Sequence, residues 1–310
     1  MTNSVLKTTM LSKAYSAGLA VDDVNINIQR GDIYGFIGQN GAGKTTLIRI
    51  VTGLISATKG EVALFGDSSA ESLEKSRKRI GCMVEAPAFM PKMTARQNLE
   101  YYRIQRGIPD EKAIDKALET VNLTETGKKK YHQFSLGMKQ RLGLALAIMG
   151  KPDFLILDEP INGLDPMGII EFREVIKDLV QKTGMTVLVS SHILSELAQV
   201  ANKFGIIHGG RLIREITAEQ LQEETKQSLA LRVQDTSLAV TVLEQNLGIT
   251  KYEVLPGNEI RIYEKIDNPS EITFQLSTNQ VRVESMSQKG TTLEEFFLET
   301  IGYESAGRKS

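Results

Sequence analysis

The chain has 310 residues, a length that accommodates one large α/β domain and a smaller second domain. Its 37 basic and 38 acidic residues nearly cancel, so it lacks the basic excess typical of proteins that bind nucleic acid through the phosphates. The single cysteine, Cys82, excludes an intramolecular disulfide, and its apolar neighbours predict a buried thiol. No apolar run approaches the roughly 18 residues that a membrane-spanning helix needs, so any membrane role would depend on a partner.

A glycine-rich octapeptide lies between a predicted apolar strand at 33–37 and a predicted helix that opens near Thr46. It fits G-x-x-x-x-G-K-[ST], the phosphate-binding P-loop, in the strand–loop–helix context that this pattern requires. The backbone N–H groups of such a loop face phosphate oxygens, Lys44 reaches the β- and γ-phosphates, and Thr45 offers a hydroxyl to Mg²⁺. The sequence therefore predicts a nucleoside triphosphate site. The residues that we assign to nucleotide binding here are Gly38, Gln39, Asn40, Gly41, Ala42, Gly43, Lys44, Thr45 and Thr46.

Two acidic residues, Asp158 and Glu159, directly follow the continuous apolar run 154–157. A P-loop alone is compatible with kinases, GTPases, helicases and transport ATPases. The apolar run predicts a strand covered on both faces of a parallel sheet, and such sheets bind ligands at the carboxyl ends of their strands. Asp158 is suited to hold Mg²⁺ through a water molecule, and Glu159 to polarise the attacking water as a general base.

Composition and periodicity divide the chain into two domains and a linker. Residues 1–217 alternate short apolar strands with helical stretches, which predicts an α/β domain with a mostly parallel sheet and a hairpin at Gly209-Gly210. Residues 218–227 are polar and predict a helical linker. Residues 228–310 predict the order βαββαβ followed by an amphipathic helix at about 291–301, which indicates a small two-layer accessory domain of the split-βαβ kind.

The segment Phe134-Ser-Leu-Gly-Met-Lys-Gln-Arg141 opens a predicted helix shortly before the acid pair, and Ser135 is a good N-cap for that helix. The segment resembles the LSGGQ signature of the ATP-binding-cassette (ABC) ATPases. Leu136 and Met138 depart from the family's pattern, whereas Ser135 and Gly137 keep it. The resemblance implies that Ser135, Gly137 and Met138 face the γ-phosphate held by the P-loop of a second cassette, in a head-to-tail dimer that encloses two ATP molecules.

Five further positions correspond to the family's landmarks, and one of them, Glu85, departs from the residue that the family carries. Asp165 matches the D-loop, which crosses the dimer interface, and His192 matches the catalytic switch histidine, which contacts the γ-phosphate. Tyr15 matches the aromatic residue that stacks on adenine, with Val21 packing nearby. Glu85 stands where the family's Q-loop carries Gln, next to Mg²⁺ and the membrane subunit. The resemblance therefore implies that Glu85 lies in the coupling loop and near the metal.

The resemblance implies a fold and a function for the whole chain. The expected fold is a P-loop NTPase cassette with a mostly parallel sheet core, an antiparallel β part and a helical subdomain, followed by the small α+β domain. The expected function is ATP hydrolysis, with ATP and Mg²⁺, in a bacterial ABC exporter. Glu85, the segment Ser135-Leu-Gly-Met-Lys-Gln140 and the C-terminal domain together resemble those of the bacitracin-resistance and lantibiotic self-immunity exporters. The expected partners are a second cassette, most simply a homodimer, and separate transmembrane permease subunits at the cytoplasmic face of the membrane, with no nucleic acid.

Three alternatives remain open within the ABC family. An importer ATPase would carry the same motifs, because cassettes do not contact the cargo. ABC proteins that act on ribosomes usually carry two cassettes and basic extensions, whereas this chain has one P-loop and a net charge of −1. DNA-repair ABC ATPases insert a long coiled coil, and this sequence contains no extended heptad run.

Overall fold

The computed structural model describes residues 3–84 and 88–307, and the chain divides into two compact units. The first unit comprises the chain up to Ala218 together with the residues from Thr300 onward, and the second comprises Glu219–Glu299. The predicted linker at 218–227 contains a helix at Ala218–Glu224, so the boundary between the units falls at the start of that helix.

The first unit contains ten strands and seven α-helices among the described residues. Its strands are β1 (Ser4–Tyr15), β2 (Gly18–Val24), β3 (Asn27–Gln29), β4 (Ile33–Ile37), β5 (Lys59–Leu64), β6 (Ile80–Met83), β7 (Phe154–Leu157), β8 (Thr186–Ser191), β9 (Lys203–His208) and β10 (Arg211–Thr217). Its helices are α1 (Lys44–Val51), α2 (Ala70–Arg77), α3 (Ala95–Gln105), α4 (Lys112–Thr120), α5 (Leu136–Ile148), α6 (Pro166–Thr183) and α7 (Leu194–Leu197). Short 3₁₀ turns lie at Thr124–Thr126 and Tyr131–Gln133.

Six strands form the central sheet, in the order β10-β9-β4-β8-β7-β6. All neighbouring pairs are parallel except β9 and β10, which form the antiparallel hairpin predicted at Gly209-Gly210. Every residue of β4, β7 and β8 is buried, as expected for strands covered on both faces. The carboxyl ends of these three strands lie at one edge of the sheet, and the P-loop, the acid pair and His192 each follow one of them.

Two other parts complete the first unit. An antiparallel sheet has the order β2-β1-β3, with β5 also paired to β1. Helices α3, α4 and α5 pack against one another and form the helical subdomain. The expected combination of a mostly parallel core, an antiparallel β part and a helical subdomain is confirmed.

The second unit is built around an antiparallel sheet. The elements that follow β10 are α8 (Ala218–Glu224), β11 (Ser228–Val233), α9 (Thr236–Gln245), β12 (Tyr252–Leu255), β13 (Glu259–Ile262), α10 (Pro269–Thr278), β14 (Val283–Lys289) and α11 (Leu293–Gly307). The strand order is β12-β13-β11-β14, the split-βαβ arrangement that the sequence predicts. Helices α9 and α10 bury apolar side chains against β11 and β13, among them Leu243 and Leu276. Helix α11 continues beyond the predicted end at 301 and spans the boundary between the two units.

The prediction of a buried cysteine is wrong. Cys82 is exposed on β6, which lies at the edge of the six-stranded sheet beside β7. An edge strand has a neighbour on one side only, so apolar sequence neighbours such as Met83, which is buried, do not guarantee cover for the thiol. In the described ranges, no helix combines the length and hydrophobicity that spanning a bilayer requires.

Candidate active site

The P-loop connects the buried strand β4 to the start of α1, and its last glycine has a backbone conformation that favours glycine. Gly43 occupies the N-cap position of α1 with a φ of 110°, and a Cβ there would collide with the carbonyl oxygen of Ala20. A residue with a side chain would therefore displace the loop from the neighbouring backbone. Gln39 and Asn40 are exposed on the loop, and Ala42 is buried, with its carbonyl accepting a hydrogen bond from Gly210 N at 3.0 Å.

The P-loop lysine is held against its own loop and beside the acid pair. Only 5 % of Lys44 is exposed, and its Nζ donates to the carbonyl oxygens of Gly38 (2.5 Å) and Gln39 (3.2 Å). The same Nζ lies 3.1 Å from Glu159 Oε1. This oxygen is buried and forms an ion pair with the lysine without accepting a hydrogen bond. The cation therefore already faces the interior of the site, where a phosphate would need it.

Asp158 is oriented by a hydroxyl on each of its oxygens. Thr45 Oγ1 donates to Oδ2 at 2.8 Å, and Ser190 Oγ donates to Oδ1 at 2.6 Å. The register of β7 beside β8 pairs Leu157 with Val189, which brings Asp158 next to Ser190. The structure thus unites the P-loop threonine and the first acid of the pair, as the sequence predicts from the shared sheet edge.

Glu159 has an unusual backbone conformation and contacts the predicted switch histidine. Its φ is 47°, in the left-handed region that residues with a Cβ adopt rarely, and such residues cluster at active sites. Its backbone N–H donates to Ser190 Oγ at 2.9 Å. Its Oε2 lies 2.9 Å from His192 Nδ1. Lys44, Glu159 and His192 therefore form one continuous polar cluster.

Ser190 is the member of this cluster that sequence analysis misses. It lies on β8, is completely buried, and contacts both acids of the pair. The sequence feature that could have indicated its role is its place near the carboxyl end of the strand that precedes His192. A serine there is otherwise an ordinary residue, and only the pairing of β7 with β8 gives it two acidic neighbours.

The oxygen atoms of Thr45 and Asp158 suit a hard divalent cation. Within residues 3–84 and 88–307, His, Cys, Asp and Glu side chains nowhere gather in threes as a metal cage. Mg²⁺ typically binds through one or two protein groups together with waters and substrate phosphates, so a hydroxyl and a carboxylate 2.8 Å apart fit that ion. Glu85, the other expected metal-proximal residue, lies outside the described residues.

The signature residues and the D-loop residue lie together at a second location. Ser135 is the N-cap of α5 and accepts from Met138 N at 3.3 Å, and Asp165 is the N-cap of α6 and accepts from Gly168 N at 3.1 Å. Ser135, Gly137 and Asp165 line one cavity of about 390 Å³. Among the described residues, no hydrogen bond or ion pair joins these side chains to the P-loop lysine or the acid pair. The two groups of predicted site residues are thus separate in one protomer.

The two residues expected near the base differ in exposure. Tyr15 ends β1 with 47 % of its surface exposed, and Lys13 Nζ lies 5.3 Å from its ring centre. Val21 on β2 has no exposed surface and belongs to the hydrophobic core. Val21 pairs with Lys13 of β1, two residues before Tyr15, and its burial is compatible with the expected packing near that tyrosine, so its place beside a bound base stays a prediction. Thr46 is half-buried on α1.

The P-loop, the acid pair and the adjoining histidine define a P-loop nucleoside triphosphatase. A family model described as ABC transporter matches residues 21–162. The chain is 42 % identical over 300 residues to the bacitracin transport ATP-binding protein BcrA of Bacillus licheniformis, covering 97 % of this chain and 98 % of the relative. It is 41 % identical over 211 residues to the lantibiotic transport ATP-binding protein SrtF of Streptococcus pyogenes, covering 68 % and 90 %.

A solved structure gives the same result for the fold. A dimeric post-hydrolysis state of an ATP-binding cassette bound to ADP and Pi aligns with a TM-score of 0.62 and 25 % identity, covering 69 % of this chain and 98 % of that one. The chain belongs to the ABC transporter ATP-binding family. It is an ATPase that binds ATP, and the resemblance found in its sequence motifs is confirmed.

Proposed function

We propose that this chain is the ATP-hydrolysing subunit of a bacterial exporter that gives resistance or immunity to a peptide antibiotic of the bacitracin or lantibiotic type. The observation that carries the proposal is the similarity to the bacitracin transport protein, which covers 97 % of the chain and therefore includes the second unit. Separate permease subunits would hold the ATPase at the cytoplasmic face of the membrane and use its motion to move the cargo.

The arrangement of the cluster supports the following division of roles in hydrolysis. Lys44 would bind the β- and γ-phosphates, and Thr45 and Asp158 would hold Mg²⁺. That ion, when bound, neutralises charge on the phosphates. Glu159 accepts a proton from the attacking water while the water oxygen bonds to the γ-phosphorus and the bond to ADP breaks. His192 orients Glu159 through their 2.9 Å contact and would face the γ-phosphate of bound ATP.

The separation of the signature residues from the P-loop supports a head-to-tail homodimer. Among the described residues, the cavity lined by Ser135, Gly137 and Asp165 includes no member of the P-loop or of the acid pair. We infer that this surface, with Met138 in the same first turn of α5, would complete the site of the second copy. Ser135 and the first turn of α5 would present a hydroxyl and the positive end of a helix dipole to the γ-phosphate.

Substitution of Gly137 by Ala tests this dimer. A Cβ at Gly137 would meet only Leu164 Cδ2, at 3.7 Å, so the Ala side chain fits within the protomer. Ala also favours a helix over Gly by about 1 kcal/mol. We therefore expect an unchanged or slightly higher melting temperature and unchanged ATP binding by the monomer. ATP-dependent dimerisation, measured by light scattering, should fall because the added methyl faces the partner's nucleotide.

The matched control for this variant is Gly302→Ala, at another helical glycine where a Cβ would meet nothing within 4 Å. It should leave dimerisation unchanged. Equal dimerisation by Gly137→Ala and the parent would contradict a role of this surface toward the second nucleotide.

We further propose that Glu85 couples the ATP site to the permease. An ionised carboxylate only accepts hydrogen bonds, so Glu85 would be drawn toward Mg²⁺ and repelled by the γ-phosphate. The position of its loop would then depend on the nucleotide state. We expect Glu85→Ala to reduce cargo export in the assembled transporter several-fold more than it reduces ATP affinity. Equal export and ATPase activity in parent and variant would contradict this coupling role.

Export itself is tested in a sensitive bacterial host that expresses the chain with its permease subunits. The proposal predicts a raised inhibitory concentration for bacitracin or a lantibiotic, and no increase when Glu159→Gln replaces the parent ATPase. An active ATPase complex that leaves sensitivity to both classes unchanged would contradict the proposed cargo.

A further inference from the structure

Ser190 lies between the two acids of the site, and none of the motifs described above assigns it a role. We propose that Ser190 is a positioning residue for ATP hydrolysis, which holds Glu159 in its backbone conformation and Asp158 in its orientation. The inference rests on the proposed roles of Asp158 and Glu159 and is independent of the cargo.

The direction of each hydrogen bond around Ser190 is determined by its partners. The backbone N–H of Glu159 can only donate, so Ser190 Oγ accepts this bond at 2.9 Å. The single hydroxyl proton of Ser190 is then available for Asp158 Oδ1, 2.6 Å away. Thr45 Oγ1 donates to the other oxygen of Asp158 at 2.8 Å. Asp158 is therefore an acceptor at both oxygens, and its carboxylate plane is set by Thr45 on one side and Ser190 on the other.

The same hydroxyl constrains the backbone of Glu159. A φ of 47° is uncommon for a residue with a Cβ, and it persists only where the surrounding structure holds it. Ser190 holds the peptide N–H of Glu159, and the carbonyl of Glu159 accepts from Asn162 N at 3.2 Å. The peptide groups on both sides of Glu159 are thus tethered, and the direction of the Glu159 side chain toward His192 and Lys44 follows from these two bonds.

A second buried hydroxyl on the same strand provides a matched control. Thr186 begins β8, is completely buried, and accepts a hydrogen bond from Gly31 N at 3.0 Å. It therefore resembles Ser190 in burial and in its bond to a backbone N–H, but it lies at the opposite end of the strand from the acid pair. Removing the Thr186 hydroxyl therefore measures the effect of losing a buried hydrogen bond on β8 when the acid pair is not involved.

The experiment compares purified full-length parent, Ser190→Ala, Ser190→Thr, Thr186→Val and Glu159→Gln. Steady-state ATP hydrolysis with Mg²⁺ gives kcat and KM, and urea unfolding gives stability. We expect Ser190→Ala to lower kcat by about tenfold, the size of one lost hydrogen bond to a charged group, with KM within about twofold. Thr186→Val should lose a similar amount of stability and keep the parental kcat. Ser190→Thr keeps the hydroxyl and should recover most of kcat.

Each other outcome has a defined meaning. A Ser190→Ala variant with parental kcat, beside an inactive Glu159→Gln, overturns the positioning role and leaves the proposed role of Glu159 intact. Equal losses of kcat in Ser190→Ala and Thr186→Val overturn the positioning role as well, because the loss would then come from a general disturbance of β8. Full activity of Glu159→Gln would remove the basis of the proposed mechanism itself. If Ser190→Ala fails to fold, Ser190→Cys, which keeps the shape of the side chain but has a larger atom and a weaker donor, replaces it in the same comparison.

Discussion

Replacing Glu159 by Gln is expected to leave ATP binding close to that of the parent and to lower hydrolysis by roughly 10²–10³-fold. The amide keeps the size of the side chain and can still contact His192, but it accepts a proton from water far less readily than a carboxylate. ATP-bound dimers that cannot hydrolyse their nucleotide should accumulate. Titration with a fluorescent ATP analogue, release of phosphate and the mass of the ATP-bound species measure these three effects.

The control for this variant is Glu174→Gln, on the exposed face of α6. Glu174 forms a surface ion pair with Lys177 at 3.2 Å, a kind of contact that contributes at most about 1 kcal/mol to stability. This change should leave hydrolysis and dimerisation at parental levels. Hydrolysis by Glu159→Gln at near the parental rate, measured with the permease subunits present, would show that the general base lies elsewhere.

Much of the fold and every residue of the polar cluster except Ser190 could be predicted from the sequence, most of them because they follow from local patterns. The glycine spacing of the P-loop and the acids after a four-residue apolar strand each indicate chemistry within a few residues. Their proximity was also predictable, because carboxyl ends of neighbouring parallel strands lie at the same sheet edge. The hairpin at Gly209-Gly210 likewise depends only on adjacent residues.

The features that the sequence did not predict depend on pairing between distant segments. Ser190 acquires its two acidic neighbours from the register of β7 beside β8, which no local pattern specifies. The exposure of Cys82 was misjudged for the same reason, and the complete burial of Val21 could not be read from its own segment either. The exposure of Cys82 depends on β6 being an edge strand, and the burial of Val21 depends on the core beneath β2. The proposal that Ser135 and Gly137 face a second molecule comes from the family resemblance, because no property of the segment itself indicates it.

Replacing Lys44 by Ala is expected to weaken ATP binding by roughly 10–100-fold, because charge-assisted hydrogen bonds contribute about 1.5–3 kcal/mol. The backbone N–H groups of the P-loop remain, so binding should weaken without disappearing. The Ala variant also leaves Glu159 without the cation that lies 3.1 Å from its Oε1, which adds repulsion between that carboxylate and the incoming phosphates. Calorimetric titration with ATP in the presence of Mg²⁺ measures the loss, and Lys177→Ala, at an exposed lysine, is the matched control.

The double variant Lys44→Ala, Glu159→Gln separates these two contributions. Glu159→Gln removes the negative charge beside the phosphates, so part of the affinity lost with Lys44 should return in the double variant. The lysine ammonium and its direct contacts with phosphate are absent from both Lys44→Ala and the double variant. We therefore expect ATP affinity of the double variant to lie between those of Lys44→Ala and the parent, and its ATP-bound dimer to be rarer than that of Glu159→Gln alone. Affinity equal to that of Glu159→Gln would mean that Lys44 serves only to neutralise the acid and does not bind phosphate.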